Sequence, residues 1–186
     1  QHVLRAHGYH NIDDETIKRT IGKTLVDSFA ELTGEHNMEV LVSYRKQYEQ
    51  KADSCMTLHT YLFPETAEVL TQLKNRGAKL GIVSSKYRSR IQELTDVAFP
   101  EGFFDLIVGA EDVTMHKPAP EGLLFALRHT QTNVADALYV GDSTIDAETA
   151  QSASVDFCGI LHGMTTYDDL VTYPHQVIGH DLKVLL

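Results

Sequence analysis

"YVGDSTIDAETA", residues 139–150, sets two aspartates, Asp142 and Asp146, directly after a short apolar run. The preceding "ALYV" reads as the end of a strand, and "DAETAQSAS", rich in Ala and Glu, reads as a helix. Asp142 then falls at the carboxyl end of a strand and Asp146 in the first helical turn. Ser and Asp cap free backbone N–H groups, and acidic residues suit the positive end of the helix dipole. Local helix-start chemistry therefore accounts for both carboxylates taken alone. The rest of the chain gives them a second task.

Outward from this point, strands and helices alternate. From Phe63 the order begins with the helix "PETAEVLTQLKNRG", the strand "AKLGIVSS" and the helix "RSRIQELTDVAF". The strand "FDLIVGA", the helix "APEGLLFALRHT", the strand "ALYVGDS" and the helix "DAETAQSAS" follow. "DFCGILHG" is a further strand, "TYDDLVTY" a short helix, and "QVIGHDLKVLL" a last strand and turn. Such alternation with near-continuous apolar strands predicts an α/β fold with a doubly wound parallel sheet. Residues 1–62 have a different texture. "DDETIKRTIG", "TLVDSFAELTG" and "MEVLVSYRKQYEQKADSCM" all read as helices. Two domains are expected, a small helical one over 1–62 and an α/β core over 63–186.

Composition bounds the function. The 186 residues carry a formal charge of −10, which argues against nucleic acid or an anionic membrane as the main partner. The hydrophobic share of 42% is that of an ordinary globular chain, with no run long enough to span a bilayer. "QHVLRAHGYHNIDDE" has no apolar signal-peptide core. Cys55 and Cys158 match no metal or redox spacing and read as reduced, buried thiols. A cytoplasmic protein is expected. The ten histidines are scattered, and His116 reads as loop structure.

In open parallel sheets, ligands bind outside the carboxyl ends of the strands. Three strands place polar groups there: Ser84 and Ser85 after "GIV", Lys117 in "VTMHKPAP", and Asp142 with Asp146. A hydroxyl, an ammonium and paired carboxylates together suit a phosphoryl group beside a metal ion. The carboxylates would hold Mg²⁺, which takes few protein oxygens and several waters. The lysine and hydroxyl would neutralise and orient phosphoryl oxygens.

"GIVSSK", "HKPAPEGLLFAL" and "YVGDSTIDAETA" resemble the second, third and fourth motifs of the haloacid dehalogenase-like hydrolases. The nearest likeness is to the phosphoglycolate phosphatase and β-phosphoglucomutase branch, and it spans nearly the whole chain. The resemblance implies a Rossmann-like core with a small helical cap over residues 1–62. It implies Ser84, Lys117 and Asp142 as catalytic residues, with Asp142 and Asp146 as Mg²⁺ ligands. Ser85, with Arg19 and Lys23 from the cap, are the candidates for binding a small phosphorylated metabolite.

The family's D-x-D-G-T motif, which supplies the nucleophile and the general acid/base, is not found in these residues. "TLVDS" copies the residues that follow that motif, but Thr20 and Gly22 then stand where the aspartates belong. "GKT" at 22–24 is no phosphate loop, because Ile17 stands where a P-loop needs glycine. The chain is expected to begin within the first cap helix and to lack the first, central strand. Strands lie about 4.8 Å apart, so its omission leaves a gap of roughly 10 Å between the strands ending in Ser84 and Asp142. The expected function is a Mg²⁺-dependent phosphatase working through an aspartyl-phosphate whose nucleophile lies upstream, the present chain alone being inactive. A sugar phosphomutase, or a non-catalytic regulatory relative on the same fold, are the alternatives.

Overall fold

The computed structural model describes residues 1–53 and 60–186, with the side chain of Asp53 left aside. Cys55 lies outside the described residues. The chain divides into two compact units, Gln1–Tyr61 and Leu62–Leu186.

The first unit is helical: α1 His2–Ala6, α2 Asp14–Lys18, α3 Leu25–Thr33 and α4 Met38–Asp53. Its helix starts follow from side-chain caps. Asp13 accepts a hydrogen bond from the Thr16 N–H at 2.7 Å and Thr24 accepts from the Asp27 N–H at 3.2 Å. Gly34 ends α3 at φ 69°, a left-handed conformation that costs a residue without Cβ little. Val3, Leu4, Phe29, Leu41 and Tyr44 form the core of this unit. Val3 and Leu4 reach it from α1, Phe29 from α3, and Leu41 and Tyr44 from α4. That convergence is the reason such short helices hold, since isolated ones are marginal in water.

The second unit alternates as its apolar runs dictate. Helix α5 Thr66–Asn75 leads to β1 Gly81–Val83, α6 Arg88–Ala98 and β2 Leu106–Val108. Then come α7 Glu121–His129, β3 Leu138–Gly141, α8 Thr144–Ala153, β4 Asp156–Ile160, α9 Tyr167–Leu170 and β5 Val177–Gly179. A 3₁₀ turn, Leu182–Leu185, closes the chain. All strand pairs are parallel, with Gly81 opposite Leu106, Leu138 opposite Asp156 and Cys158 opposite Val177. The architecture is α/β and Rossmann-like. The core gathers Leu123, Leu127, Tyr139, Ala147, Ala150, Phe157 and Leu170. Phe157, 1% exposed, contributes about 1.5–3 kcal/mol by its burial. Ala147 and Ala150, fully buried, let α8 lie close on β3 and β4.

In one respect the sheet differs from a single continuous one. Its strands fall into two sheets, ordered β1-β2 and β3-β4-β5. The break falls between β1 and β3. Two devices cross it. Helices α7 and α8 pack side by side, α7 against β1 and β2 and α8 against β3 and β4. The Tyr139 hydroxyl from β3 also lies 3.4 Å from the Val83 carbonyl of β1.

Candidate active site

The site grows from the carboxyl ends of β1 and β3. Ser143 caps α8 by accepting from the Asp146 N–H at 3.2 Å, and its hydroxyl donates back to Asp146 Oδ2 at 2.6 Å. This reciprocal pair turns the Asp146 side chain inward, where the residue is buried. A buried carboxylate needs a counter-charge. Lys117 Nζ supplies it at 2.7 Å from Asp146 Oδ1, the two side chains being 13% and 8% exposed. Tyr139 adds a hydrogen bond to the same oxygen at 3.1 Å and lies 3.4 Å from Lys117 Nζ. Asp146 therefore joins β3, α8 and the loop before α7.

The electrostatics separate the two aspartates. Burial works against the charge on Asp146, but Lys117 and the hydrogen bonds from Lys117, Ser143 and Tyr139 outweigh it and hold the carboxyl below its ordinary value. Asp142 goes the other way. Desolvation, and after it the negative charge of Asp146, raise its pKa, with Lys117 and His162 partly opposing. Burial, followed by the Asp146 charge, pushes the Tyr139 phenol well above its usual range and keeps it a hydrogen-bond donor.

A pocket lined by Val83, Ser84, Ser85, Val108, Gly109, Val113, Met115, His116, Lys117 and Gly122 opens beside these groups. Ser84 is anchored through its backbone N–H to the Val108 carbonyl at 3.0 Å, and its hydroxyl accepts from the Lys86 N–H at 3.1 Å. Ser84, Ser85 and Lys117 thus share one cavity, and Lys117 ties it to Asp146 and, electrostatically, to Asp142. Gly122 at the start of α7 permits the close approach, since a Cβ there would stand 3.0 Å from the Val83 side chain.

The carboxylate partner of Lys117 among the described residues is Asp146, one of the two expected metal ligands. Arg19 and Lys23 belong to the helical unit. Arg19 is exposed at the end of α2, and Lys23 pairs with Glu31.

Two contacts near Asp142 carry no signal in the sequence. A Cβ built on Gly163, after β4, would sit 2.5 Å from Asp142 Oδ2 and 3.0 Å from the Asp142 backbone oxygen. Only glycine lets that loop lie against the aspartate. The neighbouring His162 stacks on Phe63 with ring centroids 3.8 Å apart and lies 3.2 Å from Glu65, a carboxylate side chain 9% exposed. The loop behind Asp142 is thereby fastened to the segment that enters α5.

The donor set fits a hard divalent cation. No cluster of three or more His, Cys, Asp or Glu suited to a metal occurs among the described residues. Mg²⁺ asks for less: one or two carboxylates and retained waters. Asp142, whose ionised form is disfavoured by desolvation and then by the charge of Asp146, is the kind of group a cation relieves.

Comparisons with known proteins identify the family and the fold. The family model described as haloacid dehalogenase-like hydrolase matches residues 1–160. The chain belongs to that family. A Bacteroides fragilis protein described as a haloacid dehalogenase-like hydrolase has a solved structure that superposes with a TM-score of 0.97 at 47% identity, covering 100% of this chain and 88% of that one. A phosphoglycolate phosphatase of Shigella boydii is 28% identical over 182 residues, 98% of this chain and 70% of its own length. The pyrophosphatase PpaX of Oceanobacillus iheyensis is 27% identical over 176 residues, 95% of this chain and 80% of its own. No helix among the described residues is long and apolar enough to cross a membrane.

Proposed function

We propose that the protein is a Mg²⁺-dependent phosphatase acting on a small phosphorylated metabolite of the phosphoglycolate kind. The observation that carries this reading is the Lys117–Asp146 pair, 2.7 Å long and largely buried, set between a serine-lined pocket and the second carboxylate, Asp142. Lys117 and Ser84 orient and neutralise phosphoryl oxygens in that pocket. Asp142 and Asp146 hold Mg²⁺, which when bound supplies positive charge to the phosphoryl group. Ser143 and Tyr139 fix the Asp146 carboxylate so that it need not reorganise during the reaction.

The Ser84 hydroxyl, which accepts from the Lys86 N–H, serves in this reading to orient phosphoryl oxygens and not to attack. We assign the attacking carboxylate to a strand that occupies the break between β1 and β3 and is not among residues 1–186. It would form an aspartyl-phosphate that water then hydrolyses. The helical unit Gln1–Tyr61 would act as the cap, with Arg19 and Lys23 as candidate readers of a substrate anion and Ser85 as a further substrate contact. Phosphate release from a panel containing phosphoglycolate, other small phosphomonoesters and pyrophosphate tests the reading. Release should require Mg²⁺ and stop with EDTA. Metal-independent release would reject it.

A further inference from the structure

Residues 84–87 connect β1 to α6 and carry both serines of the pocket. The helix that follows takes its cap from a distant part of the chain. Asp13, Thr24, Ser143 and Thr166 cap their own helices, whereas Tyr87, at the same position before α6, makes no side-chain cap. Glu111, 23 residues beyond Arg88, replaces it: both carboxylate oxygens accept from the Arg88 N–H, at 3.0 and 3.2 Å. The tie is part of a larger clamp between the loop after β1 and a 3₁₀ turn, Ala110–Asp112, after β2. The Ala110 N–H donates to the Lys86 carbonyl at 2.9 Å, and the Arg88 guanidinium pairs with Asp112. Asp112 also accepts from the Gly109 N–H at 2.7 Å, and Gly109 belongs to the pocket wall. A Cβ on Gly109 would stand 2.4 Å from the Arg88 nitrogen and 2.6 Å from Glu111 Oε2, so the clamp lies against bare backbone. Within the loop, the Lys86 N–H donates to the Ser84 hydroxyl at 3.1 Å and carries the clamp to the pocket.

From this we infer that Glu111 is a positioning residue for phosphoryl binding: by gripping the start of α6 it holds the Ser84–Ser85 loop in place in the pocket wall. The inference rests on the phosphoryl-pocket reading proposed above. Glu111 touches no ligand itself and acts through the backbone of residues 84–88. Its charge makes the role testable by sign. A carboxylate near an anion site repels the anion, so on charge alone its removal strengthens binding. Positioning predicts the reverse, because a preplaced donor loses its advantage once its support is gone.

Calorimetry of inorganic phosphate binding in Mg²⁺ buffer, well below the unfolding temperature, tests this without relying on turnover. Glu111→Ala should weaken binding on the order of tenfold, within what a displacement of about 1 Å can cost. Glu111→Gln, whose amide oxygen still accepts from the Arg88 N–H, should recover most of it. Glu111 is exposed, so both variants should fold, with circular dichroism spectra like that of the wild type. Unchanged or tighter binding by Glu111→Ala, with wild-type binding intact, overturns the inference and leaves the proposed function standing. Binding by Glu111→Gln as weak as that of Glu111→Ala overturns it as well, since the tie to α6 would then not be what matters. Absence of phosphate binding by the wild-type protein refutes the phosphoryl-pocket reading itself, and this inference with it.

Discussion

Replacing Lys117 by Met removes the counter-charge of a buried carboxylate while keeping the apolar stem. The Lys117–Asp146 pair is 2.7 Å long with side chains 13% and 8% exposed, so little water can take over from the lysine. Breaking a buried pair from one side costs about 3–5 kcal/mol. Here the low end applies, because Asp146 keeps the hydroxyls of Ser143 at 2.6 Å and Tyr139 at 3.1 Å. A loss of about 3 kcal/mol corresponds to a midpoint lowered by about 6–12 °C for a chain of this size. The pH dependence has a defined sign. In the wild-type protein the Asp146 pKa lies below its ordinary 3.8, so its stabilisation is present at neutral pH and is lost only as pH falls through that lowered value. Without Lys117 the desolvation of Asp146 is less opposed and its pKa rises. The variant then protonates Asp146 earlier on acidification, and the deficit relative to wild type shrinks between pH 7 and pH 4. Urea titrations at several pH values measure this directly. A deficit under about 1 kcal/mol at pH 7, or one that stays constant with pH, would refute the buried-pair account.

Further outcomes follow from neighbouring residues. Gly163→Ala should lower Mg²⁺-supported turnover far more than it lowers stability, because the added Cβ would press on Asp142 Oδ2 from 2.5 Å. Kinetics at varied Mg²⁺ would show it, and unchanged Mg²⁺ dependence would dissociate that loop from the site. Burial pushes the Cys158 thiol up to about 11, so in a Cys55→Ser background it should resist thiol reagents at pH 8.5 until the protein unfolds. The same shift should cost stability as pH rises from 9 toward 11, since the unfolded thiol ionises first. Rapid labelling of the folded protein would show that Cys158 is reached by solvent.

The sequence carried the parts of this site that local chemistry writes. A strand followed by Gly-Asp-Ser and a second Asp places Asp142 and Asp146 by backbone periodicity alone, and the Ser143 cap follows from the same turn. The prolines and apolar runs around Lys117 place its loop between β2 and α7. Side-chain partners across the fold were less legible. Tyr139 reads as an apolar strand residue, and only the packing of β3 beside β1 reveals its hydroxyl between Asp146 and Val83. Glu65 and His162 are distant in the chain, so nothing local announces that they meet beside Phe63. Lys23, a candidate substrate contact, pairs with Glu31 two turns along the next helix.

The central claim is that the strand-end crevice performs phosphoryl transfer with the help of Mg²⁺ held by Asp142 and Asp146. The most direct measurement compares phosphate release by the protein carrying its upstream strand, by its Asp142→Asn variant, and by residues 1–186 alone. The account predicts Mg²⁺-dependent release from the first, a rate reduced on the order of 10²-fold or more in the second, as for loss of a group that stabilises transition-state charge, and none from the third. Equal Mg²⁺-dependent release from the first and third would place the nucleophile within these residues, and release unaffected by Asp142→Asn would contradict the metal assignment.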